Sequence, residues 1–395
     1  MKILYLHQYF HTPQQGGAIR SYHLAKALVE AGHEVEMITS WNHQNYHFEN
    51  IDGIKVHYLP VFYENNLSYI RRAISFIRYL YRAYEKAKEI EIEIEGIDLC
   101  YTTSTPLTIG IVALFLKRFH KIKFYFEVRD LWPEAPIQMQ AVKNPLLKKY
   151  LYWLEKKIYL KAEKIIALSP GMVEGIKKVV PEKEVLLIPN FSDCVFFHPE
   201  IKNPEIEKKF HSEGKFVISY FGAIGRANHL EYLIEAAREA RASGLDELHF
   251  IIVGKGAQLK QVEHLVAQYN LNNVLFIHFL NKDSLKELLN VTDAAYISFA
   301  DKPILQTNSP NKFFDALASG KICIINIEGW IKELIEKNNC GFYYDPKIKN
   351  AFTEKIKPYL ADKSFVSVQQ KNARALAEKE FSKELIVEKF LALFQ

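Results

Sequence analysis

The chain has 395 residues, 49% of them hydrophobic and 25% charged, a soluble globular balance that excludes disordered, collagenous and integral-membrane chains. Its 51 Lys and Arg against 46 Asp and Glu leave a net charge of +5, too small for a general nucleic-acid binder. Cys100, Cys194, Cys323 and Cys340 are scattered, without Cys-x-x-Cys or metal-ligand spacing, as expected of a reduced, cytoplasmic protein.

In chain order, MKILYLHQYF has too short an apolar run for a signal peptide, and KILYL within it is a buried-strand pattern. A loop carrying Gly16 and Gly17 leads into SYHLAKALVEAG, where Leu24, Ala27 and Leu28 share a helical face and Gly32 supplies the stop. EVEMITS is the next strand, completing a parallel strand–helix–strand unit. LCYTTS, a helix from Leu107, KFYFEV, a long helix from about Pro145 to Ala162, and KIIALS continue the alternation. The run PLTIGIVALFL falls well short of the ~20 apolar residues that span a bilayer, so no membrane-crossing segment is expected.

After PNFSDCVFFHPE the composition turns polar and the alternation restarts with KFVISYFG, LEYLIEAAREARA, LHFIIVGKG, NVLFIHF, LKELLNVTD, AAYISF, PNKFFDALASG and ICIIN. The expectation is two doubly wound α/β domains, residues 1–197 and 198–374, with a C-terminal helix over 375–395 packing back towards the first. Ligands are expected in a cleft lined by loops at the carboxyl ends of the strands.

Those loops carry the candidate chemistry. Gly16-Gly17 allows close backbone approach to a phosphate, or serves a tight turn; the dinucleotide fingerprint Gly-x-Gly-x-x-Gly is absent. YFGAIGRAN offers Gly222, Gly225 and Arg226, and VGKG offers Gly254, Lys255 and Gly256. In TNSPNKFFDALASGK, Pro310 suits the first turn of a helix with Ser309 as N-cap, and Asn311 and Lys312 then present N–H groups and a charge to a diphosphate. Asp315 lies about a turn further on, placed either to hold a ribose or to pair with a neighbouring Lys. FYFEVRDLWPEAP packs Glu127, Arg129, Asp130 and Glu134 beside Trp132, as a polar active-site loop or as an ion-pair network that orders it. No Ser-His-Asp order and no His-x-x-x-His spacing supports a triad or a metal site.

These residues resemble a family 4 glycosyltransferase of GT-B architecture over nearly the whole chain. EVRDLWPEAP is similar to a signature of the bacterial subgroup that builds O-antigen, capsule and exopolysaccharide, including fucosaminyltransferase-like members. YFGAIGRANHLEYLIEA, IIVGKGAQL and SPNKFFDALASGK fall in the order of that family's donor domain. The resemblance implies a retaining sugar transfer from a nucleotide-sugar donor, UDP-linked by preference, without metal or other cofactor. It implies Asp315 on the donor ribose, Pro310 to Lys312 with Asn308 and Ser309 at the diphosphate, Phe279 and Leu280 at the base, and Gly17 at the donor phosphate. Where the family motif is glutamate, seven residues, glutamate, this chain has Thr307 and Asp315. Where the family places an Arg and a Lys after the glycine at Gly222, it has Ala223 and Asn228, so Arg226 or Lys255 is expected to supply that charge. Arg129 stands at the family's catalytic-loop His; a guanidinium is no general base, so its expected role is electrostatic, with Glu127 and Asp130 beside it. Domain closure is expected to exclude water.

Two stretches are basic and amphipathic. SYIRRAISFIRYLYRAYEKAKE aligns Ile70, Ala73, Ile74, Ile77, Leu80 and Tyr84 with Arg71, Arg72, Arg78 and Arg82 around them, and LLKKYLYWLEKKIYLKAEK carries Lys148 and Lys149 beside an aromatic stripe. Both suit either core packing or an anionic membrane surface. The resemblance implies a glycan or polyprenyl-diphosphate-linked acceptor, and so a peripheral protein on the cytoplasmic face of the inner membrane. A non-catalytic nucleotide-sugar or glycan-binding module on the same scaffold is the alternative, kept open by Thr307 and the missing Arg and Lys.

Overall fold

The computed structural model describes residues 1–15, 17, 19–64 and 67–395. They form two compact units, one of Met1–Pro189, Thr307–Ser309 and Ile386–Gln395, the other of Asn190–Gln306 and Pro310–Leu385.

The first unit is built on eight strands: β1 (Lys2–Leu6), β2 (Glu34–Trp41), β3 (His47–Ile51), β4 (Ile54–Pro60), β5 (Leu99–Thr103), β6 (Lys123–Val128), β7 (Lys164–Ala167) and β8 (Val185–Leu187). Their order is β3-β4-β2-β1-β5-β6-β7-β8, parallel throughout except for the β3–β4 pair. Ile3 to Leu6 and all of β5 are buried, as central strands covered on both faces must be. The β3–β4 hairpin turns on Asp52-Gly53, both at positive φ, and that Asp-Gly pair was the one strong hairpin signal in the sequence that strand periodicity alone passed over.

Helices cover the sheet. The helix Arg20–Glu30 buries Leu24, Ala25, Ala27 and Leu28, and ends before Gly32 at φ +84°. Pro145–Lys161 starts on Asn144, whose side chain accepts from the N–H groups of Leu146 and Leu147, with Pro145 in the first turn. The chain's last residues close this unit: Tyr101 meets Phe390 at 5.2 Å between ring centroids, and the Leu393 carbonyl accepts from Tyr125 and Lys164.

The second unit carries six parallel strands, β9 (Phe216–Phe221), β10 (Leu248–Val253), β11 (Val274–Ile277), β12 (Ala294–Ile297), β13 (Ile322–Ile325) and β14 (Gly341–Tyr343). Their order is β11-β10-β9-β12-β13-β14, the doubly wound arrangement. Its core joins Ile218, Tyr220, Phe250, Ile252, Tyr296 and Ile324 to the helix residues Leu233, Ala237 and Phe352.

The boundary falls at Pro189/Asn190 rather than after residue 197. Residues 190–197 are tied into the second unit, where Ser192 donates to the carbonyl of Phe314 and Asp193 pairs with Lys282 and Lys383 at 3.1 and 3.0 Å. The segment 375–395 divides likewise, because the helix Lys363–Glu380 belongs to the second unit and only residues 386–395 to the first. In each sheet the strand order reverses once, between β1 and β5 and between β9 and β12, and open α/β sheets bind ligands beyond the carboxyl ends at such points.

Candidate functional site

In the second unit, the helix Asn311–Ala318 follows β12 after a single 3-10 turn at Pro303–Thr307. Pro310, not Ser309, is its N-cap: Pro310 holds an extended ψ of 133°, so the first helical residue is Asn311, and no side chain caps the end. Asn308 and Ser309 are counted in the first unit, where Ser169 donates to the neighbouring Thr307 carbonyl at 2.5 Å.

Two groups of opposite charge stand a turn apart on this helix, and neither makes an ion pair with a described residue. Lys312 is partly buried, with its amine 3.8 Å from the centre of the Tyr220 ring and 3.2 Å from where a Cβ on Gly222 would lie. It makes no ion pair with a described residue, and burial pushes its ammonium down to about 7. Asp315 is also partly buried and its carboxylate takes no hydrogen bond from a described residue. Burial pushes it up to about 7, opposed by Lys282 and helped by Asp193. Partly buried charges of both signs without an ion-pair partner among the described residues mark a candidate binding site.

The cation beside Gly222 is therefore Lys312, while Arg226 and Lys255 are exposed and Lys255 sits 5.0 Å over the ring of Phe279. Gly254 and Gly256 have a steric reason: a Cβ on them would stand 1.8 Å from the Gly222 oxygen and 2.2 Å from the Ile224 oxygen. The loops after β9 and β10 run together there, the N–H of Ile224 donating to the Lys255 carbonyl. Phe279 is exposed and Leu280 partly so, at the end of β11.

In the first unit, the loop after β6 departs from expectation at Glu127. Its side chain is fully buried and accepts from Arg20 at 3.0 and 3.1 Å, from Tyr101 at 2.8 Å and from Thr103 at 3.4 Å. Arg20 also donates to the carbonyls of Ile188 and Pro189, the last residues before the chain leaves this unit. The lone pairs of Glu127 are thus spent on a buried ion pair and two hydroxyl donors. The Arg129–Asp130–Glu134 network does not form; Glu134 accepts instead from Gln138 and Tyr152, and Asp130 accepts from Thr105 at 3.2 Å. Burial pushes the Asp130 carboxyl up, against the pull of Arg129.

Arg129 reaches a residue the sequence reading passed over. Its guanidinium lies 3.3 Å from Nε2 of His7, which directly follows β1 and is 2% exposed. A polar residue at the end of a buried central strand, at the reversal point of the sheet, was the available signal. Gly17 is at φ +84°, where a Cβ would lie 3.7 Å from the His11 ring, and Gly16 lies outside the described residues.

Two sequence families match the chain, described as Glycosyl transferase 4-like domain over residues 15–190 and Glycosyl transferases group 1 over residues 202–376. The chain belongs to the family 4 glycosyltransferases. As a family 4 chain it is 26% identical over 237 residues to a glycosyl transferase of Escherichia coli named for colanic acid biosynthesis, a match spanning 58% of this chain and 56% of that one. A capsular polysaccharide biosynthesis glycosyltransferase of Staphylococcus aureus is 24% identical, over 66% of this chain and 70% of its own length. Sucrose-phosphate synthase from Thermosynechococcus elongatus has the same fold, with a TM-score of 0.79 at 20% identity over 100% of this chain and 98% of that one. An Anabaena protein solved with UDP and glucose has a TM-score of 0.71 at 17% identity, over 100% of this chain and 99% of its own. Both show the GT-B architecture.

The basic helices of this glycosyltransferase expose their apolar residues. Tyr69–Glu93 turns Ser75, Tyr79, Ala83, Ala87 and Ile90 inward, while Ile70, Ile74, Ile77 and Tyr81 stay exposed, Ile70 by 75%. Arg71 and Arg78 are exposed with them, whereas Arg72 and Arg82 donate to the carbonyls of Leu67 and Pro60. Pro145–Lys161 exposes Leu146, Tyr150, Trp153 and Leu160 beside Lys149, with Lys148 partly buried. Among the described residues, no helix is long and apolar enough to cross a membrane.

Proposed function

We propose that the chain is a retaining glycosyltransferase of surface-polysaccharide assembly that moves a sugar, such as an N-acetylhexosamine, from a UDP-linked donor to a glycan or polyprenyl-diphosphate-linked acceptor. The observation that carries this reading is the unpaired couple of Lys312 and Asp315 on the uncapped helix at Asn311. Lys312 and the leading N–H groups receive the diphosphate, as helix N-termini receive anions. Asp315 accepts from the ribose hydroxyls. Relatives named for colanic acid and capsule biosynthesis, and a fold neighbour solved with UDP, support the pathway and the base.

In the transfer, the bond between the anomeric carbon and the diphosphate oxygen breaks and a bond to the acceptor oxygen forms. Lys312 and the helix N–H groups stabilise the charge that develops on the leaving diphosphate. Glu127 is held by Arg20 and a guanidinium accepts no proton, so the acceptor's proton passes to the departing phosphate oxygen on the same face of the sugar, which yields retention. We further propose that this charge is met without a metal ion. Lys312, partly buried at the helix start without a carboxylate partner among the described residues, is the cation that would meet it. The exposed Ile70, Ile74, Ile77 and Tyr81 with Arg71 and Arg78 suit peripheral attachment to the anionic cytoplasmic face of a membrane, where a lipid-linked acceptor resides.

The test is a thermal-shift panel of UDP, GDP, ADP, dTDP and CMP on the wild type and Asp315→Ala. A ligand at about 100 times its Kd stabilises by about 2.7 kcal/mol. The expected result is a UDP shift that disappears in the variant. Silence across the panel refutes the donor site, and a shift with another base replaces uracil.

A further inference from the structure

His7 follows β1 directly, and its backbone N–H still donates to the Ile38 carbonyl of β2, so the ring is carried by the sheet rather than by a free loop. Arg129 is a donor only, so the His7 nitrogen 3.3 Å away, Nε2, must accept. A neutral imidazole that accepts at Nε2 carries its proton on Nδ1. Burial, then Arg129, then His11 hold the ring's proton affinity well below the ordinary histidine range, so the neutral form prevails.

The Nδ1 atom is buried and has no hydrogen-bond partner among the described residues. A buried N–H donor left open in this way is unfavourable unless a ligand completes it. At the other ring nitrogen, Nε2, stands the Arg129 guanidinium, which makes no ion pair with a described carboxylate; its backbone N–H is fixed by Ser104 Oγ at 3.1 Å. Both groups lie at the end of the sheet where the strand order reverses. Two donors, one neutral and one cationic, ask for a group with several electron-rich oxygens that carry no hydrogen of their own.

We propose that His7 and Arg129 form a phosphoryl-oxygen subsite in the first unit, in which Arg129 fixes His7 as its Nδ1–H tautomer and the two donate to different oxygens of a bound diphosphate. His7 is then a binding residue and not the base of the reaction. The proposal rests on the transferase reading for the source of the diphosphate, which is either the leaving nucleotide or a lipid-linked acceptor.

The experiment uses the full chain labelled with 15N-histidine and long-range 1H–15N correlation, with UDP and farnesyl diphosphate as probes. His7 is assigned through His7→Asn and is expected as the Nδ1–H tautomer at pH 7, becoming mixed in Arg129→Met. Movement of its Nδ1–H signal with UDP assigns the leaving diphosphate, and movement with farnesyl diphosphate alone assigns the lipid-linked acceptor. His7→Ala is expected to weaken the responding probe about tenfold, and His7→Asn, which returns an N–H near Nδ1, to recover most of it. An Nε2–H tautomer, a His7 signal indifferent to both probes, or full affinity in a folded His7→Ala overturns the proposal. If UDP still gives its Asp315-dependent thermal shift in those cases, the donor reading stands; if that shift is also missing, the donor reading has failed separately.

Discussion

Binding of the donor diphosphate should raise the protonation of Lys312, and the size of the effect follows from its surroundings. Burial displaces its ammonium from the ordinary value down to about 7, with no carboxylate among the described residues paired to hold the charge. A diphosphate supplies that counter-charge and returns the group towards its ordinary value. At pH 7 about half the free protein carries the charge, so Lys312 takes up about half a proton on binding, which the half proton released by Asp315 offsets at this pH and which Asp315→Asn exposes. By pH 8.5 only about one molecule in thirty carries it, and the Lys312 contribution weakens affinity about fifteenfold from pH 7. Asp315, also near 7 and needed in its ionised form, gives back about twofold over the same interval, leaving a net loss of about eightfold. The assay is titration calorimetry with UDP-N-acetylglucosamine, whose diphosphate keeps a constant charge over this range, in two buffers of different ionisation enthalpy. Lys312→Arg should flatten the loss, and Asp315→Asn should expose the full fifteenfold. Affinity that is level from pH 7 to 8.5 in the wild type, or that falls equally in Lys312→Arg, refutes the reasoning.

Glu127→Gln should destabilise the protein by about 3–5 kcal/mol, read by chemical denaturation, because it leaves the fully buried Arg20 without its counter-charge. A variant of wild-type stability with lost turnover would instead make Glu127 a participant in the chemistry. Glu155 is 5% exposed and burial raises its carboxyl to about 8, so the folded chain holds this proton more tightly than the unfolded one. Its contribution is therefore complete below the ordinary value of about 4.5 and is lost as pH rises towards 8; Glu155→Gln should raise stability by up to about 4 kcal/mol at pH 8.5 and change little at pH 4.5. Equal melting shifts at both pH values would contradict this. Replacing Arg71 and Arg78 together by Ala should weaken sedimentation with anionic vesicles about thirtyfold, from ~1 kcal/mol per charge, and leave neutral vesicles unaffected. Unchanged partition would remove the helix Tyr69–Glu93 from the membrane argument.

The sequence by itself determined the alternation of strands and helices in both halves, because buried parallel strands read as continuous apolar runs and helices as a 3.6-residue stripe. KILYL, KFYFEV, LHFIIV and ICII stand in the sheets where those runs lie. It also located the loops at the strand ends, since topology alone places ligands there. Only the tertiary structure decided which side chains meet in those loops. Glu127 looked like part of an active-site loop until Arg20, 107 residues earlier, was seen to occupy it. Lys312 lands beside Gly222, and Lys255 does not, because β9 and β12 are neighbours in the sheet although other elements separate them in the chain. The helix Tyr69–Glu93 has apolar residues on more than one face, and packing chose Tyr79, Ala83 and Ile90 for the core and left Ile70 and Ile77 outside. Local periodicity reports what one segment prefers; partners far apart in sequence are set by strand order and side-chain reach, which no window along the chain contains.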